Sequence, residues 1–347
     1  MTKLLTAIAA LQLIEQGRLT FDTHASKYFP ELENPVVLKD PFDPDSTSTP
    51  AQTPITVFHL ITHSSGSFYA GLTHVLPEPL THEYKSAAEK HADFFQQLKG
   101  KYPGVPLAFE PGAAFAYGYS TDVLGFIVEK VSGLTLEEYF QANIFEPIGV
   151  KSVSFHLTAE SKEQLMNLHL RNPDGSVVPY NHGPVTPRYP APVHNYLGGV
   201  GAFATLPDYA TILRHLLQIE AGRDVPNAVL KRETVKSLFE PKLGPAGAGA
   251  LTMLMQMLDA ESAALGVNWG NGIAINLQDW PGMRKANSGW WSGWAGTWFV
   301  LDPTSGVAVV FGSQVVPPMD PVTLEIFQKA EQIVYANLEE VPLPVLL

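Results

Sequence analysis

The 347-residue chain has no cysteine. That excludes disulfide bonds, thiol catalysis and thiolate-bound metal, and leaves the redox compartment open. No apolar run approaches the roughly 20 residues that a membrane-spanning helix needs. Basic residues are few: 22 Lys and Arg stand against 34 Asp and Glu, a net charge of −12, and no cluster of Lys or Arg breaks that balance. Neither nucleic acid nor an anionic membrane is an expected partner. The 11 histidines are scattered, without His-Glu-x-x-His or another ligand spacing, so no metal and no cofactor are expected. The Gly198-Gly199-Val200-Gly201 run lacks the Gly-x-Gly-x-x-Gly spacing of a dinucleotide cradle. Gly-x-Ser-x-Gly is missing too, which argues against an α/β-hydrolase.

What is present reads as an ordinary globular chain, 45% hydrophobic and 16% charged, and a cytoplasmic location is the expectation. A chain of this length buries roughly 75% of its unfolded surface, so it needs no staple. Residues 2–16 are predicted to form an amphipathic helix, with apolar residues at 4, 8, 11 and 14. Gln12, Glu15 and Gln16 interrupt it and Gly17-Arg18 ends it, which distinguishes it from a secretion signal. Further helices are predicted at 83–98, 120–132, 136–145, 206–219 and 321–338. The last would present Ile326, Ala330, Ile333, Val334 and Asn337 on one mostly apolar side. Gly272–Leu277, Thr297–Leu301 and Val307–Phe311 read as strands, the last two joined by the turn Asp302-Pro303-Thr304-Ser305-Gly306. Residues 33–54, with five prolines, read as a long surface loop, and 244–249 as a mobile glycine-rich one. Together these give an α/β fold in one domain: an antiparallel sheet flanked by helices, with a mainly helical lobe of roughly 55–260 and a sheet lobe from 1–54 and 261–347.

Three places carry chemistry. Lys3 stands in the first turn of the first helix, where a residue three before it would share its face. A lysine so placed can serve as base for a hydroxyl; on position alone it reads as an ordinary solvated lysine, and only the other motifs reverse that. No other lysine in the chain has a serine three residues before it. The second place is the loop Ala113–Tyr119, which feeds the helix at Ser120 and carries Tyr117 and Tyr119. A loop tyrosine at a helix start can present its hydroxyl to a cleft as acid or base, or simply pack. The third is Ser288-Gly289-Trp290-Trp291-Ser292-Gly293-Trp294-Ala295-Gly296. Glycines among tryptophans suggest a strand that a ligand approaches closely, with a bare N–H for an oxyanion; the alternative is an aromatic core hairpin.

These segments, in this order, resemble the serine β-lactamase and penicillin-binding-protein superfamily, and within it the family VIII carboxylesterases and fungal LovD-like acyltransferases. Met1-Thr2-Lys3 matches the last three residues of Ser-Met-Thr-Lys, with the nucleophilic serine falling just before the first residue. Tyr117 precedes Asp122 by five, as the family's catalytic tyrosine does; Gly118 replaces the usual serine, and Tyr119-Ser120 repeats the dipeptide two residues later, so Tyr119 is the alternative. Trp291-Ser292-Gly293 resembles the segment that replaces Lys-Thr-Gly. Leu60-Ile61-Thr62-His63-Ser64-Ser65-Gly66, Ile144–Val150 and Gly198–Thr205 with Asp208-Tyr209 add weaker structural matches.

The resemblance implies a β-lactamase/transpeptidase-like fold, with its N-terminal strands expected to be missing. It implies a serine-dependent hydrolase or acyltransferase of secondary metabolism. Such an enzyme works through an acyl-enzyme on a small ester or thioester, with an acyl-carrier donor as a further partner. Lys3 would be the base and Tyr117 its acid/base partner. Trp291 and Gly293 would line the substrate, and the Trp294 N–H would be an oxyanion donor. Phe68, Tyr69, Trp290 and Trp294 would shape an apolar acyl pocket. The rival expectation is a relative without a nucleophile, a pseudoenzyme or truncated gene product that at most binds small molecules.

Overall fold

Helix α1 (Thr2–Glu15) is buried on every side from Thr2 to Leu13. The predicted amphipathic helix is therefore a central one, because a helix apolar all round minimises its exposed surface only inside the protein. The computed structural model describes residues 1–69, 85–180, 193–258 and 263–338. Around α1 pack α4 (Ser120–Ser132), α5 (Leu136–Phe140) and a π-helical turn, Gln141–Phe145. The short α2 (Val57–Ile61) and the longer α3 (Ala87–Lys99) lie on the α4 side, α3 through Phe94 on Phe126 and Lys90 on Glu129. Residues 83 and 84 of the predicted 83–98 helix fall outside the described segments.

Local sequence explains these boundaries. Helix α4 ends at Gly133, whose φ of 79° is the left-handed cap that a glycine adopts without strain. Thr135 and Glu138 close α5 with a reciprocal capping box. After the short α6 (Glu146–Ile148) and α7 (Ala159–Glu163), Thr205 caps α8 (Leu206–Glu220). Helix α9 (Arg232–Ser237) follows, then α10 (Pro245–Leu258). The last corrects the expected loop at 244–249. Proline suits a first helical position, and the apolar run beyond it buries Leu251 and Met255, which offsets the roughly 1 kcal/mol that each helical glycine costs.

The main sheet is an antiparallel meander in the order β10-β9-β8-β7-β6. Its strands are β6 (Val267–Trp269), β7 (Ala274–Asn276), β8 (Gly289–Gly293), β9 (Thr297–Asp302) and β10 (Val307–Gly312). Alternation sends Phe299 to Tyr209 of α8 and Trp298 to the opposite face. There its ring stacks on Phe327 of α11 (Pro321–Ala336), centroids 5.4 Å apart. The predicted Asp302 turn is present, with Ser305 N–H donating to Asp302 Oδ1 at 3.0 Å. The buried Asp302 also accepts from Tyr335 Oη at 2.8 Å, tying the turn to α11.

Two expectations are corrected here. The 33–54 loop contains β1 (Val36–Leu38) paired antiparallel with β2 (Ser48–Pro50) and parallel with β3 (Pro106–Leu107). A second small sheet joins β11 (Val315–Val316), β4 (His169–Arg171) and β5 (Val177–Pro179). Helix α11 is also rotated from its predicted facing: Ile326 is 52% and Ile333 65% exposed, while Thr323, Phe327 and Glu331 are buried. Specific contacts outweigh the apolar count. Asp320 caps the helix through Thr323, Phe327 stacks on Trp298, and the carboxylate of Glu331 pairs with the guanidinium of Arg284, both fully buried.

Removing one member of a buried pair strands the other charge, which costs about 3–5 kcal/mol. Glu331→Ala is therefore expected to lower the urea unfolding midpoint by that equivalent, and the double variant Arg284→Met/Glu331→Met to recover most of it. Equal losses in both proteins would show that packing, not the stranded charge, is responsible.

Candidate active site

The first turn of α1 delivers Lys3 to a buried position, 5% exposed. Its Nζ donates to the Gly199 carbonyl at 3.1 Å and lies over the Tyr117 ring, 4.5 Å from its centroid. The glycine run is what lets the backbone come so close. A Cβ on Gly198 would stand 2.2 Å from the Thr121 carbonyl, and one on Gly199 2.8 Å from Asp122 Oδ1. Thr6, one turn beyond Lys3, donates to the Gly198 carbonyl at 2.8 Å and fixes the run to α1.

Tyr117 sits in the loop that feeds α4. The loop is held by Ala116 N–H to the His63 carbonyl at 3.0 Å and by Tyr69 N–H to the Tyr117 carbonyl at 3.4 Å. Gly118 has its own reason: a Cβ there would meet Phe68 Cα and the Ser67 carbonyl, each at 2.4 Å. The Tyr117 side chain is partly exposed, and its hydroxyl accepts from the indole Nε1 of Trp291 at 2.9 Å. Trp291 packs edge-on against Trp269, centroids 4.7 Å apart, and Trp269 is anchored by its own Nε1 to the Ile61 carbonyl at 3.1 Å.

Beneath Tyr117 lies His63, in left-handed backbone geometry at φ 55°. Its ring centroid is 5.1 Å from that of Tyr117, and Nε2 is 3.1 Å from Thr121 Oγ1. Burial, with Lys3 adding to it, pushes His63 well below its ordinary 6.5, so the imidazole is neutral at neutral pH. Asp122, in the first turn of α4, accepts from Gly199 N–H at 2.8 Å. Its burial raises the carboxyl to about 6, with Lys3 and the Gly199 N–H opposing that shift. One glycine thus has Lys3 on its carbonyl and Asp122 on its N–H.

The structure brings Lys3, Tyr117 and Trp291 together around one point. Tyr119 is placed differently: it precedes α4 as its cap residue, its ring edge-on to Tyr69 at 4.6 Å and to Phe94 at 5.8 Å. Burial, then Asp122, pushes its hydroxyl up to about 12. Gly293 is required by its cross-strand neighbour, since a Cβ would stand 2.2 Å from Thr297 Oγ1. Trp294 lies in the turn between β8 and β9, its ring 6.3 Å from that of Tyr180. Trp290, its ring 6.0 Å from that of Trp291, packs against Trp280 and the guanidinium of Arg284.

His63, Asp122 and Gly199 were not singled out as site residues in the sequence. His63 and Gly199 occur inside segments read as structural matches and Asp122 inside the tyrosine segment, where it serves only as a spacing mark; that placement is the available signal. Among the described residues no cluster of three or more His, Asp or Glu is set to hold a metal ion, and no helix is long and apolar enough to cross a membrane. What the grouping can do chemically is move protons: an amine, a phenol and a neutral imidazole adjoin one another, with a carboxyl behind them.

Asp122 sets a pH dependence whose sign follows from its raised value. Between about 4 and 6 the folded protein holds a proton there that the unfolded chain releases, so stability falls as pH rises through that window. Two units correspond to about 3 kcal/mol. Asp122→Asn keeps an acceptor for Gly199 N–H and loses the charge. In urea titrations it is expected to match the parent near pH 4 and to exceed it by up to about 3 kcal/mol at pH 7. A pH-independent gap would refute this account.

A family profile described as Beta-lactamase matches residues 1–332. The chain is 32% identical over 333 residues to a lovastatin esterase of Penicillium rubens, covering 92% of this chain and 79% of that protein. It is 29% identical over 361 residues to a monacolin J acid methylbutanoyltransferase of Aspergillus terreus, covering 98% and 81%. Among solved structures, a mutant of simvastatin synthase (LovD) from Aspergillus terreus superposes with a TM-score of 0.77 at 28% identity, over 96% of this chain and 79% of that one. A penicillin-binding protein from Bacillus halodurans, at 24% identity and a TM-score of 0.62 over 94% of this chain and 84% of that one, shares the fold.

Proposed function

The chain belongs to the beta-lactamase family, and from that premise we propose that it is a serine esterase or acyltransferase. It would work through an acyl-enzyme on small esters or thioesters of secondary metabolism, with an acyl-carrier thioester as one class of donor. The fold is the β-lactamase/transpeptidase-like α/β fold. The observation that carries the reading is the convergence at the start of α1. Lys3 Nζ lies over the ring of Tyr117, and the Tyr117 hydroxyl is held by Trp291. The relatives bear the names of an esterase and of acyltransferases, which fits one acyl-enzyme chemistry with either water or an alcohol as acceptor.

In the family's Ser-x-x-Lys pattern the nucleophile is a serine three residues before the lysine, so the place for it here is one helical turn before Lys3. Lys3 takes the serine proton as the oxygen attacks the acyl carbonyl. The oxyanion is met by the serine's own N–H and that of Trp294. Tyr117 passes a proton to the departing alcohol or thiol and recovers one from the incoming acceptor. His63, neutral and packed beneath the phenol, supports the ring without adding a charge.

The test supplies the nucleophile. The chain is expressed with serine directly before Met1 and exposed to a p-nitrophenyl ester of a short acyl acid. A gain of one acyl mass and ester turnover are expected. Tyr117→Phe should lower turnover by about 10²–10⁴-fold, and Tyr119→Phe should leave it within a few-fold. Failure to acylate with the serine in place would sink the reading. Loss through Tyr119 instead would exchange the roles of the two tyrosines.

A further inference from the structure

We propose that Trp291 is a positioning residue that aims the Tyr117 proton at the leaving group, and so sets which leaving groups the site can expel. This rests on the acid role given to Tyr117 above. The argument begins with donor and acceptor bookkeeping. An indole Nε1–H can only donate, whereas a phenol can donate and accept. At 2.9 Å the Tyr117 oxygen must therefore be the acceptor from Trp291. A phenolic O–H prefers the plane of its ring, which leaves two directions. The indole hydrogen occupies one, so the phenol's own hydrogen takes the other. Among the described residues no acceptor takes that proton, and Tyr117 is partly exposed.

The indole itself has little freedom to give way. Trp291 is 6% exposed, wedged between Trp269 and the Tyr117 ring, with centroids 4.7 and 5.2 Å away. Trp269 is in turn pinned to the Ile61 carbonyl. The Lys3 amine lies over the face of the Tyr117 ring and donates to Gly199, so Trp291 is the group that fixes the phenol in its own plane.

The chemical consequence appears when the tetrahedral intermediate collapses. The carbonyl re-forms, the bond to the leaving oxygen breaks, and that oxygen takes the Tyr117 proton. Tyr117 is left as a phenolate, which the indole N–H still contacts, now as a charge-assisted and stronger bond. The phenolate is discharged when the acceptor alcohol or water surrenders its proton during deacylation. Trp291 therefore acts most where a proton must be delivered, as to an alkoxide. It acts least where the leaving group departs as a stable anion, as p-nitrophenolate does.

The experiment uses the full chain with serine before Met1 and compares an ethyl ester with a p-nitrophenyl ester of the same acyl group. In Trp291→Phe, kcat/KM for the ethyl ester is expected to fall about 10- to 100-fold further than for the p-nitrophenyl ester, the equivalent of one charge-assisted hydrogen bond. The ratio of the two activities is independent of how much of the variant folds, since both substrates see the same protein. Equal falls on both esters, or none, would overturn the proposal and leave Trp291 a packing residue. If Tyr117→Phe turns over the ethyl ester normally, the acid reading of Tyr117 is what has failed, and this inference goes with it.

Discussion

A helix with apolar or small residues on every side cannot sit on a surface, and the rest of this molecule is arranged to enclose α1. Burial of Leu4, Leu5, Ile8, Leu11 and Leu13 is worth on the order of 1.5–3 kcal/mol for each side chain, so the enclosure dominates the local energetics. It also sets steric demands on distant segments. A Cβ on Gly272 would lie 2.3 Å from Ala7 Cβ, and the glycines at 198 and 199 let the backbone pass between α1 and α4. With the helix fixed this way, its first turn carries Lys3 into the interior, against Gly199 and the Tyr117 ring.

The buried lysines of the helical side illustrate two ways to keep an amine out of water. Lys90 is matched by charge: it pairs with Glu129 at 2.7 Å, which His91 also contacts. Lys3 has no carboxylate in ion-pair range among the described residues; a carbonyl and an aromatic face receive it. The nearest acid in influence, Asp122, is set behind Gly199 and is itself pushed toward its neutral form by burial. The first arrangement balances the buried amine with a carboxylate, and the second leaves it to a carbonyl and an aromatic face.

The aromatic segment around β8 shows the same division between support and chemistry. Neighbouring residues serve different partners: Trp290 packs on Arg284, which pairs with Glu331, while Trp291 reaches the Tyr117 hydroxyl. The sheet is thus not a passive floor. Its register with β9 and the stacking of Trp298 on Phe327 hold the strand that orients the phenol.

Much was legible in the sequence where information is local. The 120–132 helix was predicted at its observed limits, and 206–219 within one residue, because each has its cap and its period in a single stretch. The Asp302 turn is legible in its turn residues, and Lys3 and Tyr117 are named by motif spacing alone. What the sequence could not reveal depends on which distant segments meet. The facing of α11 was decided by Arg284 and Trp298, residues 47 positions or less away but on other elements. The Lys3–Gly199 contact spans 196 positions, and neither it nor the roles of His63 and Asp122 leaves a trace in local periodicity. Periodicity and capping determine where helices and strands begin and end, since those depend on neighbours along the chain. Burial, strand alternation and close glycine approaches determine which functional groups face one another, since those depend on neighbours in space.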